Sequence, residues 1–197
     1  MTASALTHWV AARALAAALL VLLPGVAWSS DADRDIAVRV HKDGPSIGVD
    51  VDCPVDASRL VVWEVLTDYD HMAQFLSNLD VSGVTATADS PLRIHQKGRV
   101  GYGLLTFHFE NVRDIDLVPH REIRSRSLSG DVKASDFTTR IVEVAGALHI
   151  VNSGRYTPGV WIPPLIGPVV IEAEIRKQFG ELRREIMRRG ALLRPQS

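Results

Sequence analysis

The sequence predicts an α+β domain in which an antiparallel sheet is followed by one long C-terminal helix. Between residues 79 and 156, apolar and polar residues alternate in several runs, and turn-forming residues separate these runs. This pattern is typical of a meander of antiparallel strands. After residue 163 the period changes, because apolar residues recur at steps of three and four, as they do on one face of an α-helix.

The N-terminal part of this domain predicts a hairpin that leads into a capped helix. An alternating run at residues 36–40 meets the turn signal Lys42-Asp43-Gly44-Pro45, and a second run follows at 47–51. Asp56 or Ser58 can cap the helix that comes next. A turn and a second short helix are expected before the sheet resumes.

Six strands are expected in the meander, at residues 79–87, 92–100, 104–118, 122–129, 132–144 and 147–156. In the second of these, Leu92, Ile94 and Val100 alternate with charged residues, which predicts one face toward the core and one toward solvent. Phe107 and Phe109 alternate in the same way on the next strand, so we expect them to point inward, toward the last helix.

The last helix is the longest predicted element. It is expected to begin near Pro163 and Pro164, because proline is tolerated in a first helical turn, and to end at Arg189, before Gly190. Its apolar stripe consists of Ile171, Ile175, Phe179, Leu182 and Ile186. Acidic residues lie early and arginines crowd the end, which matches the helix dipole.

The first 29 residues have the features of a secretory signal. Arg13 precedes the apolar run 14–23, and the small residues Ala27 and Ser29 stand at the −3 and −1 positions of a cleavage site. We therefore expect cleavage near Ser29 and a periplasmic or secreted protein. An uncleaved N-terminal segment that anchors the chain in the membrane is the alternative.

Composition indicates one folded domain, at residues 46–190, preceded by a leader with an additional strand at 30–45 and followed by a tail at 191–197. Cys53 is the single cysteine, which excludes an internal disulfide even in an oxidising compartment. The formal net charge of −1 gives no electrostatic footprint for nucleic acid, so no such partner is expected.

A family resemblance lies in the motifs around the two short helices. The first reads W-E-V-L-T-D-Y from Trp63 to Tyr69, and the second ends in F-L-x-N-L, from Phe75 to Leu79. The Gly130-Asp131-Val132-Lys133 segment continues the pattern. Over residues 46–190 the chain resembles the START/SRPBCC (Bet v 1-like) superfamily, and within it the polyketide cyclase/dehydrase and coenzyme Q-binding branch.

This resemblance implies a helix-grip fold. A curved antiparallel sheet wraps around the long C-terminal helix, two short helices follow the first strand, and an apolar cavity lies between sheet and helix. It further implies binding or transfer of a hydrophobic small molecule, such as a lipid, an isoprenoid quinone or a polyketide-like compound.

Candidate site residues are aromatic and apolar rather than catalytic. The sequence contains no G-x-S-x-G, H-E-x-x-H or C-x-x-C pattern, and neither a metal nor a cofactor is expected. Ligand pockets are lined mostly by apolar and aromatic side chains. The expected ligand-binding residues are Phe75, Tyr102, Phe107, Phe109, Phe137, Tyr156, Trp161, Ile175 and Phe179.

Two further functional expectations concern catalysis and membranes. A cyclase/dehydratase-type enzyme is the alternative function, in which Tyr102, His108, Asp136 or Tyr156 would act as acid or base. Trp161 and Ile162 belong to a proline-rich segment before the last helix, and we expect them to contact a membrane transiently or to close over a ligand. The alternative is that this segment is a rigid connector that sets the direction of the last helix.

Overall fold

The computed structural model describes residues 33, 35–85, 92–102, 105–159 and 167–193, except for the side chains of Tyr102 and Leu105. The elements in this part are β1 (Ala37–Asp43), β2 (Ser46–Val55), α1 (Arg59–Leu66), α2 (Met72–Phe75), β3 (Leu79–Val84), β4 (Leu92–Tyr102), β5 (Leu105–Val118), β6 (Glu122–Gly130), β7 (Val132–Val144), β8 (Ala147–Pro158) and α3 (Gly167–Leu192). The expected signal segment, 1–29, lies outside the described residues.

The strands form one sheet in the order β1-β2-β8-β7-β6-β5-β4-β3, and each neighbouring pair is antiparallel. The helices α1 and α2 lie between β2 and β3 in the chain. They therefore connect a strand near one edge of the sheet to the opposite edge. The predicted α+β architecture, a large antiparallel sheet with a long C-terminal helix, is confirmed.

The two faces of β4 are those that the sequence predicts. On the outer face Arg93 pairs with Asp114 at 2.8 Å, and Arg99 pairs with Asp80 at 3.0 Å. On the inner face Ile94 is fully buried. Charged side chains can reach water and oppositely charged neighbours only on the outer face, so the alternation fixes which side of the sheet faces α3.

The helix α3 packs on one side of the sheet. It contacts β1, β2, α1 and α2, and its residues Leu182 and Ile186 are part of the buried core. Arg183 donates hydrogen bonds to Asp35 at 2.8 Å and to Asp33 at 3.2 Å. These contacts hold α3 over the β1–β2 edge of the sheet. The central strands border a cavity instead of packing closely against the helix.

The predicted end of the last helix, at Arg189, is wrong by three residues. Glycine ends a helix where the chain turns into a left-handed conformation. Gly190 is not among the residues with positive φ, and α3 continues through it to Leu192. The predicted start near Pro163 lies outside the described residues.

The single cysteine, Cys53, is buried in β2 as part of the core. Burial raises the pKa of its thiol to about 12. A nucleophilic thiol needs a lowered pKa and access to solvent. Cys53 therefore acts as a small apolar side chain in this fold.

Candidate functional site

A cavity of about 310 Å³ lies between the inner face of the sheet and α3. The sheet contributes Ile94, Ile115, Ile123 and Phe137, and α3 contributes Ile175, Phe179 and Leu182. Because β-strand side chains alternate between faces, the residues that β4 to β7 send into this space lie two positions apart on each strand. The cavity thus has apolar side chains on two opposite sides.

The end of the cavity near the short helices is closed by the segment that carries the W-E-V-L-T-D-Y motif. Leu66 of α1, Tyr69 of the turn, and Met72 and Leu76 at α2 reach the cavity. The α1 helix begins at the Ser58 cap, whose side chain accepts a hydrogen bond from the Val61 amide. The motif that suggested the family therefore forms part of the cavity wall.

One charged residue, Arg113 of β5, stands in this apolar wall. Its Nη2 donates a hydrogen bond to Oε1 of Gln96 on β4. Its Nε is buried and has no hydrogen-bond partner among the described residues. No carboxylate of the described residues forms an ion pair with it. The side chain as a whole keeps some accessible surface, as expected for a group that borders a cavity.

Gln96 is held in one orientation by a chain of hydrogen bonds. Ser82 donates from its hydroxyl to the carbonyl oxygen of Tyr69 at 2.6 Å, and Gln96 donates from Nε2 to the Ser82 hydroxyl at 3.0 Å. The Gln96 carbonyl oxygen is therefore turned toward Arg113, which can only donate. This chain connects the turn after α1 to the guanidinium.

Burial shifts the ionisation of the polar groups in the cavity. It lowers the pKa of Arg113 because it penalises the charged form, and it raises the pKa of Tyr69 to about 12. The guanidinium remains charged at neutral pH, since its ordinary pKa is far higher. The phenol remains neutral, so the described lining of the cavity has one positive charge beside a hydroxyl donor.

Three of the residues expected to bind ligand line the cavity. Phe137 reaches it from β7, and Ile175 and Phe179 reach it from α3. Their assignment as ligand contacts stays a prediction.

The remaining expected residues lie elsewhere. Phe75, Phe109 and Tyr156 pack against the core without lining the cavity, and Phe75 lies under the Arg189 guanidinium, 5.6 Å from its ring centroid. Phe107 is 55% exposed. It lies on the inner face of β5, the same face as Arg113, as expected, but it sits near the strand end and does not line the cavity. The Tyr102 side chain and Trp161 lie outside the described residues.

The polar residues of the cavity are the ones that the sequence expectations missed. Arg113 and Gln96 are the clearest cases, and Ser125, Thr139 and Asn152 also reach the cavity. The available signal was strand alternation, which places residue 113 on the same face as Phe107 and Phe109. Of the proposed acid and base residues, His108 and Asp136 are exposed and do not line this cavity.

The described residues form neither a metal site nor a membrane-spanning helix. In these ranges no three or more His, Cys, Asp or Glu side chains are grouped so that they could hold a metal ion. No helix in the same ranges is long and apolar enough to cross a bilayer. Trp161 and Ile162, the expected membrane contacts, lie outside the described residues.

Solved structures share this fold at low sequence identity. They include a STAR-related lipid transfer protein from Xanthomonas axonopodis, with a TM-score of 0.62 and 12% identity over 78% of this chain and 94% of that one. A START superfamily protein from Mycobacterium smegmatis has a TM-score of 0.54 and 12% identity over 75% of this chain and 99% of that one. The Zhui aromatase/cyclase from a Streptomyces species has a TM-score of 0.54 and 15% identity over 74% of this chain and 94% of that one. These similarities show the START/Bet v 1 helix-grip fold.

Sequence comparison assigns the family. No curated protein matches the chain. The family described as polyketide cyclase/dehydrase and lipid transport matches residues 55–178, which is more than half of the chain and includes α1, α2, all strands from β3 to β8 and the first part of α3. The chain therefore belongs to the polyketide cyclase/dehydrase and lipid transport family.

Proposed function

We propose that this protein binds or transfers a hydrophobic small molecule, such as a lipid, an isoprenoid quinone or a polyketide-like compound, in the cavity between the sheet and α3. The observation that carries the proposal is the cavity of about 310 Å³ with apolar walls from both sides. This volume is at the lower end of the range for small-molecule sites. Family membership supports the same class of ligand.

Apolar burial supplies the binding free energy in this proposal. A ligand that loses about 200 Å² of apolar surface gains roughly 5 kcal/mol, at about 25 cal/mol per Å². Part of this gain is offset by the loss of the ligand's translational freedom. Binding therefore depends strongly on how completely the cavity accepts the ligand.

The proposal is tested by filling the cavity. Ile175 of α3 lines it, whereas Val169 of the same helix is 68% exposed. With the uncharged fluorophore N-phenylnaphthylamine, saturable binding to the native protein is expected. Ile175→Trp is expected to weaken that binding by about 10-fold or more, because 1.4 kcal/mol of lost contact already produces this change.

Val169→Trp is the matched control, since it adds the same side chain to the same helix on its exposed side. It should bind the fluorophore as the native protein does, and both variants should retain a cooperative thermal transition. Equal binding by the two tryptophan variants, or no saturable binding by the native protein, would contradict the proposal.

A cyclase/dehydratase-type enzyme is a second candidate function. The specific observation in its favour is the neutral phenol of Tyr69 beside the guanidinium of Arg113 in one cavity. Such a pair can donate hydrogen bonds to a developing enolate oxygen. Tyr69→Phe would then abolish turnover of a polyketide-like substrate and leave N-phenylnaphthylamine binding intact. A carrier would show no turnover with or without this substitution and would also keep its N-phenylnaphthylamine binding.

We also propose that the chain is exported and that the segment with Trp161 and Ile162 contacts membranes transiently. The signal pattern of residues 1–29 and the amphipathic character of tryptophan support these proposals. N-terminal sequencing of the protein from a periplasmic or secreted fraction should begin after Ser29. A cytoplasmic protein with an intact N-terminus would refute export, and an intact N-terminus in the membrane fraction would favour the anchor.

A further inference from the structure

Buried polar atoms without partners are concentrated on the inner face of two neighbouring strands, β5 and β6, whose residues Arg113 and Ser125 line the cavity. In the part of the chain that the structure describes, five buried side-chain nitrogen or oxygen atoms lack a hydrogen-bond partner. Four of them belong to the inner face of β5 and β6. They are Asn111 Oδ1, Arg113 Nε, Ser125 Oγ and Ser127 Oγ. Native proteins satisfy most buried polar atoms, so such a cluster calls for an explanation.

Strand register places these residues side by side. Arg113 of β5 pairs with Ser127 of β6, and Ile115, two residues along, pairs with Ser125. Directly paired residues of antiparallel strands have Cβ atoms about 5 Å apart. The guanidinium and the two hydroxyls therefore form one patch of hydrogen-bond donors on this face of the sheet, and Arg113 and Ser125 of the patch line the cavity.

No carboxylate in the described part of the chain neutralises the charge of this patch. Arg113 has a protein hydrogen bond only to the neutral amide of Gln96 among the described residues. Burial of an unpaired charge is costly, and buried charges in native proteins are normally paired. By contrast, the outer face of the same strand places Asp114 against Arg93 at 2.8 Å. On the outer face an arginine is therefore paired with a carboxylate, whereas Arg113 on the cavity side has no such partner among the described residues.

The guanidinium is also held in a fixed orientation. The chain from Tyr69 through Ser82 to Gln96 engages Nη2 of Arg113, while Nε remains without a partner. Arginine presents its N–H groups in a planar fork that matches the two oxygens of a carboxylate or phosphate. A binding group that is oriented in advance loses less conformational freedom when its ligand arrives.

We propose that the ligand of this cavity is an amphipathic anion, whose apolar chain lies between the sheet and α3 and whose oxyanion accepts hydrogen bonds at the side of the cavity where Arg113 and Ser125 lie. This inference rests on the proposed function and narrows its ligand class. Carboxylate and phosphate head groups share the required chemistry, namely two or more oxygens that carry negative charge and accept from a fork of donors.

The test compares ligands that share one apolar chain and differ in the head group. Dodecanoate, dodecyl phosphate and dodecanol are titrated against the protein as its host produces it, below the concentrations at which they form micelles, with displacement of N-phenylnaphthylamine as the signal. At least one anion is expected to bind about 10-fold tighter than dodecanol or better, as a charge-assisted hydrogen bond in a buried site provides. The tighter anion identifies the head group.

Variants assign that preference to Arg113. Arg113→Met keeps an unbranched, flexible side chain, although a shorter one, and removes the charge, and it is expected to bring the anion and the alcohol to within about 2-fold of each other. Arg113→Lys should retain part of the preference, because the charge remains. Arg99→Met is the matched control on the exposed face of β4 and should leave the preference unchanged.

A thermal melt without ligand separates a ligand-binding arginine from a structural one. Arg113→Met removes an unpaired buried charge, so the variant is expected to melt no lower than the native protein. A lower melting temperature together with an unchanged anion preference would make Arg113 structural and overturn the inference.

The remaining outcomes distinguish this inference from the proposed function. Equal binding of dodecanol and both anions to the native protein would refute the oxyanion site, leave the proposed function standing and mean that ordered water satisfies the patch. Failure of all three ligands and of N-phenylnaphthylamine to bind would refute the proposed function itself. Acetate or inorganic phosphate that binds as tightly as the chained anions would also contradict the inference, because the apolar chain would then contribute nothing.

Discussion

Gly98 occupies a position in β4 where two other parts of the chain take up the space of any side chain. A Cβ atom there would lie 2.0 Å from the backbone oxygen of Asn78 and 2.7 Å from Cζ of Phe109. The Asn78 oxygen is itself fixed by a hydrogen bond of 2.9 Å from the Arg99 amide. Relief of the clash would therefore require the β3–β4 pairing to shift.

We predict that Gly98→Ala lowers the free energy of unfolding by about 2 kcal/mol or more, as overpacking of a well-packed interior does. Gly101→Ala in the same strand is the control, because no atom lies within 4 Å of the Cβ position there. It should change stability by less than about 1 kcal/mol. Denaturant titration of both variants measures the difference, and equal stabilities would show that the close approach is not maintained in solution.

Side-chain direction at individual positions of the cavity could be predicted, but the pairing of those side chains could not. Alternation along β5 already assigns Arg113 to the inner face. The absence of a carboxylate near it depends on strand register and on packing by residues far along the chain, including Tyr69 and Gln96. Phe107 is a second example. Alternation predicts the face of β5 on which it lies, but its exposure depends on how far α3 extends over the sheet.

At the level of elements, α3 is fastened to the rest of the fold by its C-terminal arginines. Arg188 and Arg189 both donate to Glu185 at 2.7 Å, and Arg189 also donates to Asp68 at 2.7 Å. Oδ1 of Asp68 also forms a hydrogen bond of 2.6 Å with Nδ1 of His71. This network connects α3 to the turn between α1 and α2, which closes one end of the cavity.

The network predicts a loss of stability in acid. Hydrogen bonds from Arg188, and secondarily from Arg189, lower the pKa of Glu185 from 4.5 to about 2 despite the opposing effect of burial. The folded protein binds the proton more weakly than the unfolded chain does, so this contribution is fully present above about pH 4.5. It is lost as the pH falls from 4.5 toward 2.

Glu185→Gln should remove that part of the pH dependence and lower the free energy of unfolding at neutral pH by about 1–2 kcal/mol, because a charge-assisted hydrogen bond is lost. Glu172→Gln, which breaks the more exposed pair with Arg176 on the same helix, should cost less than about 0.5 kcal/mol. Urea titrations at several pH values measure both. An unchanged slope below pH 4.5 in Glu185→Gln would show that other groups carry the acid sensitivity.

The apolar stripe of α3 and the strand meander were predictable because each rests on local periodicity. The boundaries of β5 and β7 were expected within one residue of those found, and Leu182 and Ile186 of the stripe are buried. The arginines near the helix end were interpreted through the helix dipole alone. Their partners, Asp33, Asp35 and Asp68, lie more than a hundred residues away in sequence, and local periodicity contains no information on such contacts.

For the whole molecule, sheet and helix enclose a space that the chain fills incompletely. The core is continuous where α3 meets β1, β2 and α1, and the cavity opens where the helix passes over the middle strands. Family membership predicts a cavity of this kind, but it does not specify the polar patch around Arg113. That patch is the feature of this chain that narrows the ligand class beyond the family.

Native mass spectrometry of the protein purified from its host without detergent, followed by solvent extraction and identification of any released compound, tests directly whether the cavity holds a ligand. We predict a one-to-one adduct with an apolar molecule that carries an acidic group. The adduct should be retained by Val169→Trp and lost from Ile175→Trp. A native protein without any adduct that also takes up no apolar probe, or an adduct that persists in Ile175→Trp, would contradict the claim that this cavity holds the ligand.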